Sequence, residues 1–152
     1  PFLKLFLISF VWAYVTVLLQ LLYNDAVLSV DVLNIFFQRI LFIIAISIPF
    51  DIRDIEIDKI KTLPNTIGVM GAKIFSFSCL FLVEILLIIG LVFSLIQMHD
   101  FIALFLSILL SAIIILLTHK KNSYFFYGIF VEGLSIIMCL FVLISNLIYS
   151  YG

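Results

Sequence analysis

Residues 101–118 read Phe101-Ile-Ala-Leu-Phe-Leu-Ser-Ile-Leu-Leu-Ser-Ala-Ile-Ile-Ile-Leu-Leu-Thr118. This run contains no charged side chain, and it approaches the length of about 20 residues that a helix needs to cross a bilayer. Its apolar residues are continuous rather than alternating, which favours a helix over a strand of a membrane barrel. The run therefore predicts a transmembrane helix.

Four similar runs lie along the rest of the chain. The five predicted spans cover residues 5–23, 32–50, 73–97, 101–118 and 124–149. Three of them contain one ionisable side chain within the apolar stretch, namely Arg39, Glu84 and Glu132. The sequence thus predicts an all-α fold, a polytopic transmembrane helical bundle with five spans, forming a single transmembrane domain over residues 1–152.

The composition excludes a soluble globular protein. Hydrophobic residues make up 66% of the chain and charged residues 11%, against about 45–50% and about 25% in soluble domains. Eight Lys and Arg against nine Asp and Glu give a net charge of -1, so there is no basic excess for a nucleic-acid partner. We expect an integral, multi-pass membrane protein in contact with membrane lipid, as in a bacterial inner membrane.

The basic residues predict the orientation of the bundle, because positively charged loops remain cytoplasmic. Seven of the eight basic residues are expected on one side: Lys4, Arg53, Lys59, Lys61, Lys73, Lys120 and Lys121. This places the N-terminal end and the polar loop 51–66 in the cytoplasm and the C-terminus outside.

An acidic segment follows the second predicted span and reads Asp51-Ile-Arg-Asp54-Ile-Glu-Ile-Asp58. In a helix that continues the span, Asp51, Asp54 and Asp58 fall within an arc of about 60°. Carboxylates that share a face repel one another unless a cation lies between them, and oxygen ligands suit Mg²⁺ shared with substrate phosphates. Lys59, Lys61 and the segment 62–68 add cations and hydroxyls. Spacing alone also leaves open a solvated, charged loop.

The same residues resemble the second aspartate-rich motif of the UbiA superfamily of intramembrane prenyltransferases. The resemblance rests on Asp51-x-x-Asp54-x-x-x-Asp58, followed by Lys61-Thr62-Leu63-Pro64 and Gly68, on a loop between two spans. The first span, with Trp12-Ala-Tyr-Val-Thr16, is also similar to the helix that opens the second half of these proteins.

This resemblance implies nine helices around a cavity, of which the chain would supply the last five as a C-terminal half. It implies that Asp51, Asp54 and Asp58 bind Mg²⁺ and that Lys61, with Arg53 or Lys59, neutralises the diphosphate of an isoprenoid donor. The resemblance also implies a lipophilic, often aromatic, acceptor. The family's first aspartate motif is absent from these residues, so N-terminal helices are expected in cis or in trans, and the fragment alone is expected to be inactive.

Ionisable groups within spans usually face a cavity or a partner, so Arg39, Glu84 and Glu132 are candidate cavity residues. An ion pair between Arg39 and Glu84 is the structural alternative, as is a helix-to-helix hydrogen bond for Glu132. Arg39 lies about 18 Å along the helix from Asp51 and cannot reach the same metal site.

Two other functions remain open from the sequence. One is a CDP-alcohol phosphotransferase, which also combines intramembrane aspartates with a metal, although its Asp-Gly and Ala-Arg elements are absent. The other is a non-catalytic membrane subunit or transporter fragment, in which the acidic loop only contacts a partner.

Overall fold

The computed structural model describes residues 2–23, 27–55, 62–119 and 124–151, and all of their regular structure is helical. Five helices in these ranges are long and apolar enough to cross a membrane: Leu3–Tyr23, Val30–Arg53, Leu63–Val92, Met98–Leu117 and Tyr127–Ser150. We refer to them as the first to fifth spans. The predicted all-α fold with five helices long and apolar enough to cross a membrane is therefore confirmed in these ranges, and it is consistent with a multi-pass membrane protein.

The first and fifth spans each contain one wider turn of π-helix. The first consists of Phe2–Ala13, the π-turn Tyr14–Leu18 and Leu19–Tyr23, and the last consists of Tyr124–Phe126, the π-turn Tyr127–Val131 and Gly133–Tyr151. Such turns insert a residue into the helical ladder and rotate the side chains on either side, frequently beside functional sites.

The third span begins ten residues before the position predicted from hydropathy, at Leu63 instead of residue 73, and a kink at Gly68 separates its first turn from the rest of the helix. Thr62 is extended and Pro64 occupies the first turn, where a missing N–H costs no intrahelical bond. Lys73, at which the predicted span begins, lies within this helix. Its Nζ donates a hydrogen bond to the Leu116 carbonyl at 2.9 Å, which gives the cation a partner. Since the second span also continues to Arg53, the connection is shorter than the predicted loop 51–66.

A proline within the second span is compensated by the third span. Pro49 has no N–H, so the carbonyl four residues earlier, that of Ala45, loses its helical hydrogen bond. The hydroxyl of Ser76 in the third span donates to that carbonyl at 2.7 Å. Both Pro49 and Ser76 are buried, and in a membrane such an exchange satisfies a polar group that lipid cannot.

The second span lies at the centre of the packing. It contacts the first and third spans extensively, and the fourth span packs against the third and the fifth. Side chains such as Phe42, Leu80 and Ile115 form the larger core cluster. A smaller cluster at the C-terminal end of the second span consists of Leu5, Ile48, Ile52, Leu63 and Ala72. The outward faces are apolar and exposed, as with Trp12 and Phe81, which suits contact with lipid.

Candidate functional site

The second span ends, and the third begins, at one end of the bundle that we call the motif end. It is formed by Lys4, Asp51, Arg53, Asp54, Thr62 and Tyr127. Because successive spans run in opposite directions, this end collects the start of the first span, the end of the second and the starts of the third and fifth. Residues distant in the sequence therefore meet there.

Asp51 is buried at the motif end and is held by a cation from another span. Its residue is 4% exposed, and the Lys4 Nζ lies 3.2 Å from its Oδ1. Its neighbour Ile52 belongs to the smaller apolar cluster. A buried carboxylate requires such a partner because desolvation penalises its charge. Lys4, 47 residues away in the chain, thereby joins the first span to the motif.

Asp54 lies just beyond the end of the second span and pairs with its sequence neighbour. The Arg53 guanidinium donates from Nε to Oδ1 at 2.6 Å and from its second terminal nitrogen to Oδ2 at 2.7 Å. This bidentate hydrogen bond, together with the charges of Arg53 and Lys4, lowers the pKa of the Asp54 carboxyl despite partial desolvation. Asp54 is therefore the ionised carboxylate at the rim of the site.

Two aromatic rings fix the position of Arg53. Its guanidinium carbon lies 5.4 Å from the ring centroid of Phe50 and 5.3 Å from that of Tyr127, within cation–π range. Tyr127 is fully buried, and its hydroxyl donates to the His119 carbonyl at 2.9 Å. The second span, the fifth span and the segment that follows the fourth are thus joined around one cation.

The structure brings together some of the predicted site residues. Asp51, Arg53 and Asp54 lie at the motif end, whereas Asp58, Lys59 and Lys61 lie outside the described residues. The regular helix ends at Arg53 with Asp54 as its C-cap: the Asp54 N–H still donates to the Phe50 carbonyl at 3.0 Å, but φ -90° and ψ 8° end the helix there. The predicted continuation of the helix beyond Arg53 is therefore wrong at the described residues 54 and 55. Within the described ranges, no group of three Asp, Glu, His or Cys side chains forms a metal site.

Thr62 lies at the motif end, directly before the first residue of the third span. Its side chain is buried, and its Oγ1 has no hydrogen-bond partner among the described residues. A buried hydroxyl without a partner carries an energetic penalty. Thr62 is therefore a polar group at the motif end that is available to a ligand or to the loop.

The ion pair between Arg39 and Glu84, the structural alternative to a cavity role, is absent from the described residues. Within the described part of the chain, both carboxylate oxygens of Glu84 are buried without a hydrogen-bond partner. Arg39 lines a cavity together with Val83 and Leu87 of the third span. Glu84 follows Val83 by about 100° around that helix, which directs its side chain away from the cavity wall. Glu132 is exposed on the fifth span and lines neither of the two cavities that contain Arg39.

Sequence reasoning missed Lys4 and Tyr127 as parts of the site. Lys4 counted only toward the charge asymmetry, and Tyr127 lies in an aromatic run, Tyr124-Phe-Phe-Tyr127, that has no charged neighbour. Their roles depend on contacts between spans that are far apart in the sequence. A cation at the start of an apolar span, where Lys4 is the second residue, is the only local signal that singles it out.

Comparisons of the chain with protein-family models, with curated proteins and with solved structures find no match.

Proposed function

We propose that this chain supplies one half of the active site of a UbiA-like intramembrane prenyltransferase. Such an enzyme moves an isoprenoid group from a polyprenyl diphosphate to an aromatic or similar lipophilic acceptor. The observation that carries the proposal is the motif Asp51-x-x-Asp54-x-x-x-Asp58 with Lys61-Thr62-Leu63-Pro64, which connects two membrane-spanning helices.

The donor chemistry of the motif fits Mg²⁺. Carboxylate oxygens are the ligands that this ion prefers, and it commonly shares its remaining positions with water and substrate phosphates. Asp51 and Asp54 lie at the same end of the bundle, and in this proposal they hold the ion together with Asp58. When bound, the ion neutralises charge that accumulates on the leaving diphosphate.

The chain's own cations have separate roles in this proposal. Lys4 and Arg53 balance the two carboxylates, which keeps the motif end ordered before the ion and the substrate bind. Lys59 and Lys61 follow the acidic segment directly, and they pair with the diphosphate oxygens. Arg53, which pairs with Asp54, could pair with a diphosphate if Asp54 held the metal.

The apolar surroundings support the same chemistry. Ile48, Ile52 and Leu63 are fully buried beside Asp51, so one wall of the site excludes water. Exclusion of water protects a reactive allylic group from hydrolysis until the acceptor attacks. The resemblance also implies a first aspartate motif from further helices, in cis or in trans, and we propose that these 152 residues alone do not transfer prenyl groups.

Binding of a donor analogue tests the proposal on the chain itself. The chain in phosphatidylcholine nanodiscs is titrated with farnesyl thiodiphosphate, a slowly reacting diphosphate, with and without Mg²⁺. We expect binding that requires Mg²⁺ and that weakens at least tenfold in Asp54→Asn and in Asp51→Asn.

The matched control is Asp31→Asn, which removes an exposed carboxylate from the first turn of the same span at its opposite end. This variant should bind the analogue as tightly as the wild type. Binding that is independent of Mg²⁺, or equal losses in Asp54→Asn and Asp31→Asn, would count against a metal-diphosphate site.

A further inference from the structure

A cavity of about 270 Å³ lies between the second, third, fourth and fifth spans, in the half of the bundle away from the motif end. Most of its wall is apolar, with Phe42, Leu87, Leu104 and Met138 among the lining residues. Three polar side chains also line it: Gln38, Arg39 and Asp100. A mainly apolar cavity with a few convergent polar groups is the usual form of a small-molecule site.

Arg39 and Gln38 present unused hydrogen-bond donors at this cavity. Within the described residues, Arg39 makes neither an ion pair nor a side-chain hydrogen bond, although it lies near the middle of the second span. The Nε2 of Gln38 is buried without an acceptor. A half-turn about the last side-chain torsion of Gln38 exchanges the amide oxygen and nitrogen, so the N–H donors can face either way. An uncompensated cation at this depth is costly, so a partner is expected.

The opposite wall limits the charge of that partner. The Asp100 Oδ1 accepts a hydrogen bond from the Asn146 Nδ2 at 2.9 Å and lies 3.6 Å from the His99 Nε2. Asp100 is thus held by its own neighbours and does not come within ion-pair distance of Arg39. Its negative charge would repel a second negative charge in the cavity, which favours a monoanion over a diphosphate.

We propose that this cavity binds a small apolar molecule that carries a single carboxylate. The planar guanidinium of Arg39 pairs with the carboxylate through two parallel hydrogen bonds, Gln38 donates a third, and the apolar walls hold the body of the molecule. The site does not depend on the proposed prenyl transfer, because Arg39 lies about 18 Å from Asp51 along the second span.

The test uses 2-naphthoate as the probe and 2-naphthamide as a neutral molecule of the same shape. Each is titrated into the chain in phosphatidylcholine nanodiscs, and binding is followed by calorimetry. We expect saturable binding of the carboxylate that is at least tenfold tighter than binding of the amide. Equal affinity for the two molecules, or no saturable binding of 2-naphthoate, would overturn the proposal without the need for any variant.

Variants locate the site within the bundle. Arg39→Met should weaken 2-naphthoate binding at least tenfold, and Arg39→Lys should retain part of it. Lys73→Met is the matched control, because Lys73 is a second cation within a span, donates to the Leu116 carbonyl and does not line the cavity. It should bind 2-naphthoate as the wild type does. A result in which Arg39→Met also binds like the wild type contradicts the site.

A cavity-filling variant separates this cavity from a neighbouring groove. Arg39 also lines a more open groove with Thr16 and Gln20 of the first span. Met138 lines the cavity but not the groove. Met138→Trp therefore fills the cavity alone, and it changes no charge. We expect Met138→Trp to abolish 2-naphthoate binding, and undiminished binding would place the anion in the groove and refute the cavity site.

Discussion

Asp51 and Asp54 stand three positions apart and have opposite environments. Asp51 is buried against apolar side chains and is balanced by Lys4 from another span. Asp54 lies at the rim and is balanced by its neighbour Arg53. The first pair depends on the packing of two helices, whereas the second requires only the local end of one helix. Loss of tertiary packing would therefore affect the two carboxylates differently.

Substitution of Arg53 by Met should raise the pKa of the Asp54 carboxyl toward its ordinary value, because the hydrogen bonds from Arg53 are the main cause of its lowering. The ¹³C carboxyl chemical shift of Asp54 measures this directly during a pH titration. A control with Lys73→Met removes a distant cation and should leave that titration unchanged. A titration that is the same in Arg53→Met and the wild type would contradict the bidentate pair.

The same pair predicts a pH dependence of stability. Since the pKa of Asp54 is lower in the folded chain, its stabilising contribution is present above the unfolded value of about 3.9. That contribution is lost as the pH falls through the folded value. The wild type should therefore lose more stability than Arg53→Met on acidification below about pH 4.

Gly68 requires glycine for its backbone conformation. It has φ 76° and ψ 164° within the third span, and a Cβ there would meet nothing within 4 Å. A positive φ combined with an extended ψ is accessible almost only to glycine and costs other residues about 1–3 kcal/mol, so Gly68→Ala should lower the free energy of unfolding by about that amount. Unfolding of the bundle in mixed detergent micelles, followed by circular dichroism, measures the change.

Gly128→Ala is the matched control, because its added Cβ also meets nothing within 4 Å and its backbone has no positive φ. This variant should be as stable as the wild type or slightly more so, since alanine favours a helix over glycine. Equal destabilisation by the two substitutions would argue against strain at Gly68 as the cause.

At the scale of elements, hydropathy predicts which segments cross the membrane but not where every helix begins. An uncharged run identifies each span, because charge within hydrocarbon is costly. The start of the third span differs because Lys73 is accommodated by the Leu116 carbonyl of the fourth span, a contact that no local pattern reveals. The signal that was present, Thr62 followed by Pro64, is typical of a helix start.

Ser76→Ala should destabilise the packing of the second span against the third. The Ser76 hydroxyl donates to the Ala45 carbonyl, which Pro49 leaves without its helical donor. Hydrogen bonds between membrane helices contribute about 0.6–2 kcal/mol, and we expect a loss of that size in detergent unfolding. Ser78→Ala is the control, because Ser78 is exposed and bonds only to Ile74 of its own helix.

A double-mutant cycle tests the role of Pro49 in that contact. In Pro49→Ala, the new N–H can bond to the Ala45 carbonyl, so Ser76→Ala should then cost less than it does beside proline. If Ser76→Ala costs the same in both backgrounds, the hydroxyl does not compensate for the proline.

At the scale of the whole molecule, the sequence predicts the composition of the site better than its geometry. The motif identifies Asp51, Asp54 and Arg53 because these residues are close together in the chain. Lys4 and Tyr127 join them only because the first and fifth spans fold against the second. Sequence alone also cannot decide whether Arg39 and Glu84 form an ion pair. The direction of each side chain depends on how its helix is rotated within the bundle, and this rotation is set by packing between spans.

The two ends of the third span should lie on opposite faces of the membrane. Asn65 is exposed near its start at the motif end, and Gln97 is exposed just beyond its end. In a background of Cys79→Ala and Cys139→Ala, which removes both cysteines, Asn65→Cys and Gln97→Cys each introduce one thiol. A membrane-impermeant maleimide should label them from opposite sides of sealed vesicles of known orientation.

The charge distribution adds a direction to that experiment. Lys4 and Arg53 lie at the motif end, so the preference of basic residues for the cytoplasmic side places Asn65 there and Gln97 outside. Labelling of both thiols from one side would contradict a third span that crosses the membrane. Labelling from opposite sides in the reverse sense would keep the five-span bundle but place the carboxylates away from the cytoplasm, where a cytoplasmic isoprenoid diphosphate could not reach them.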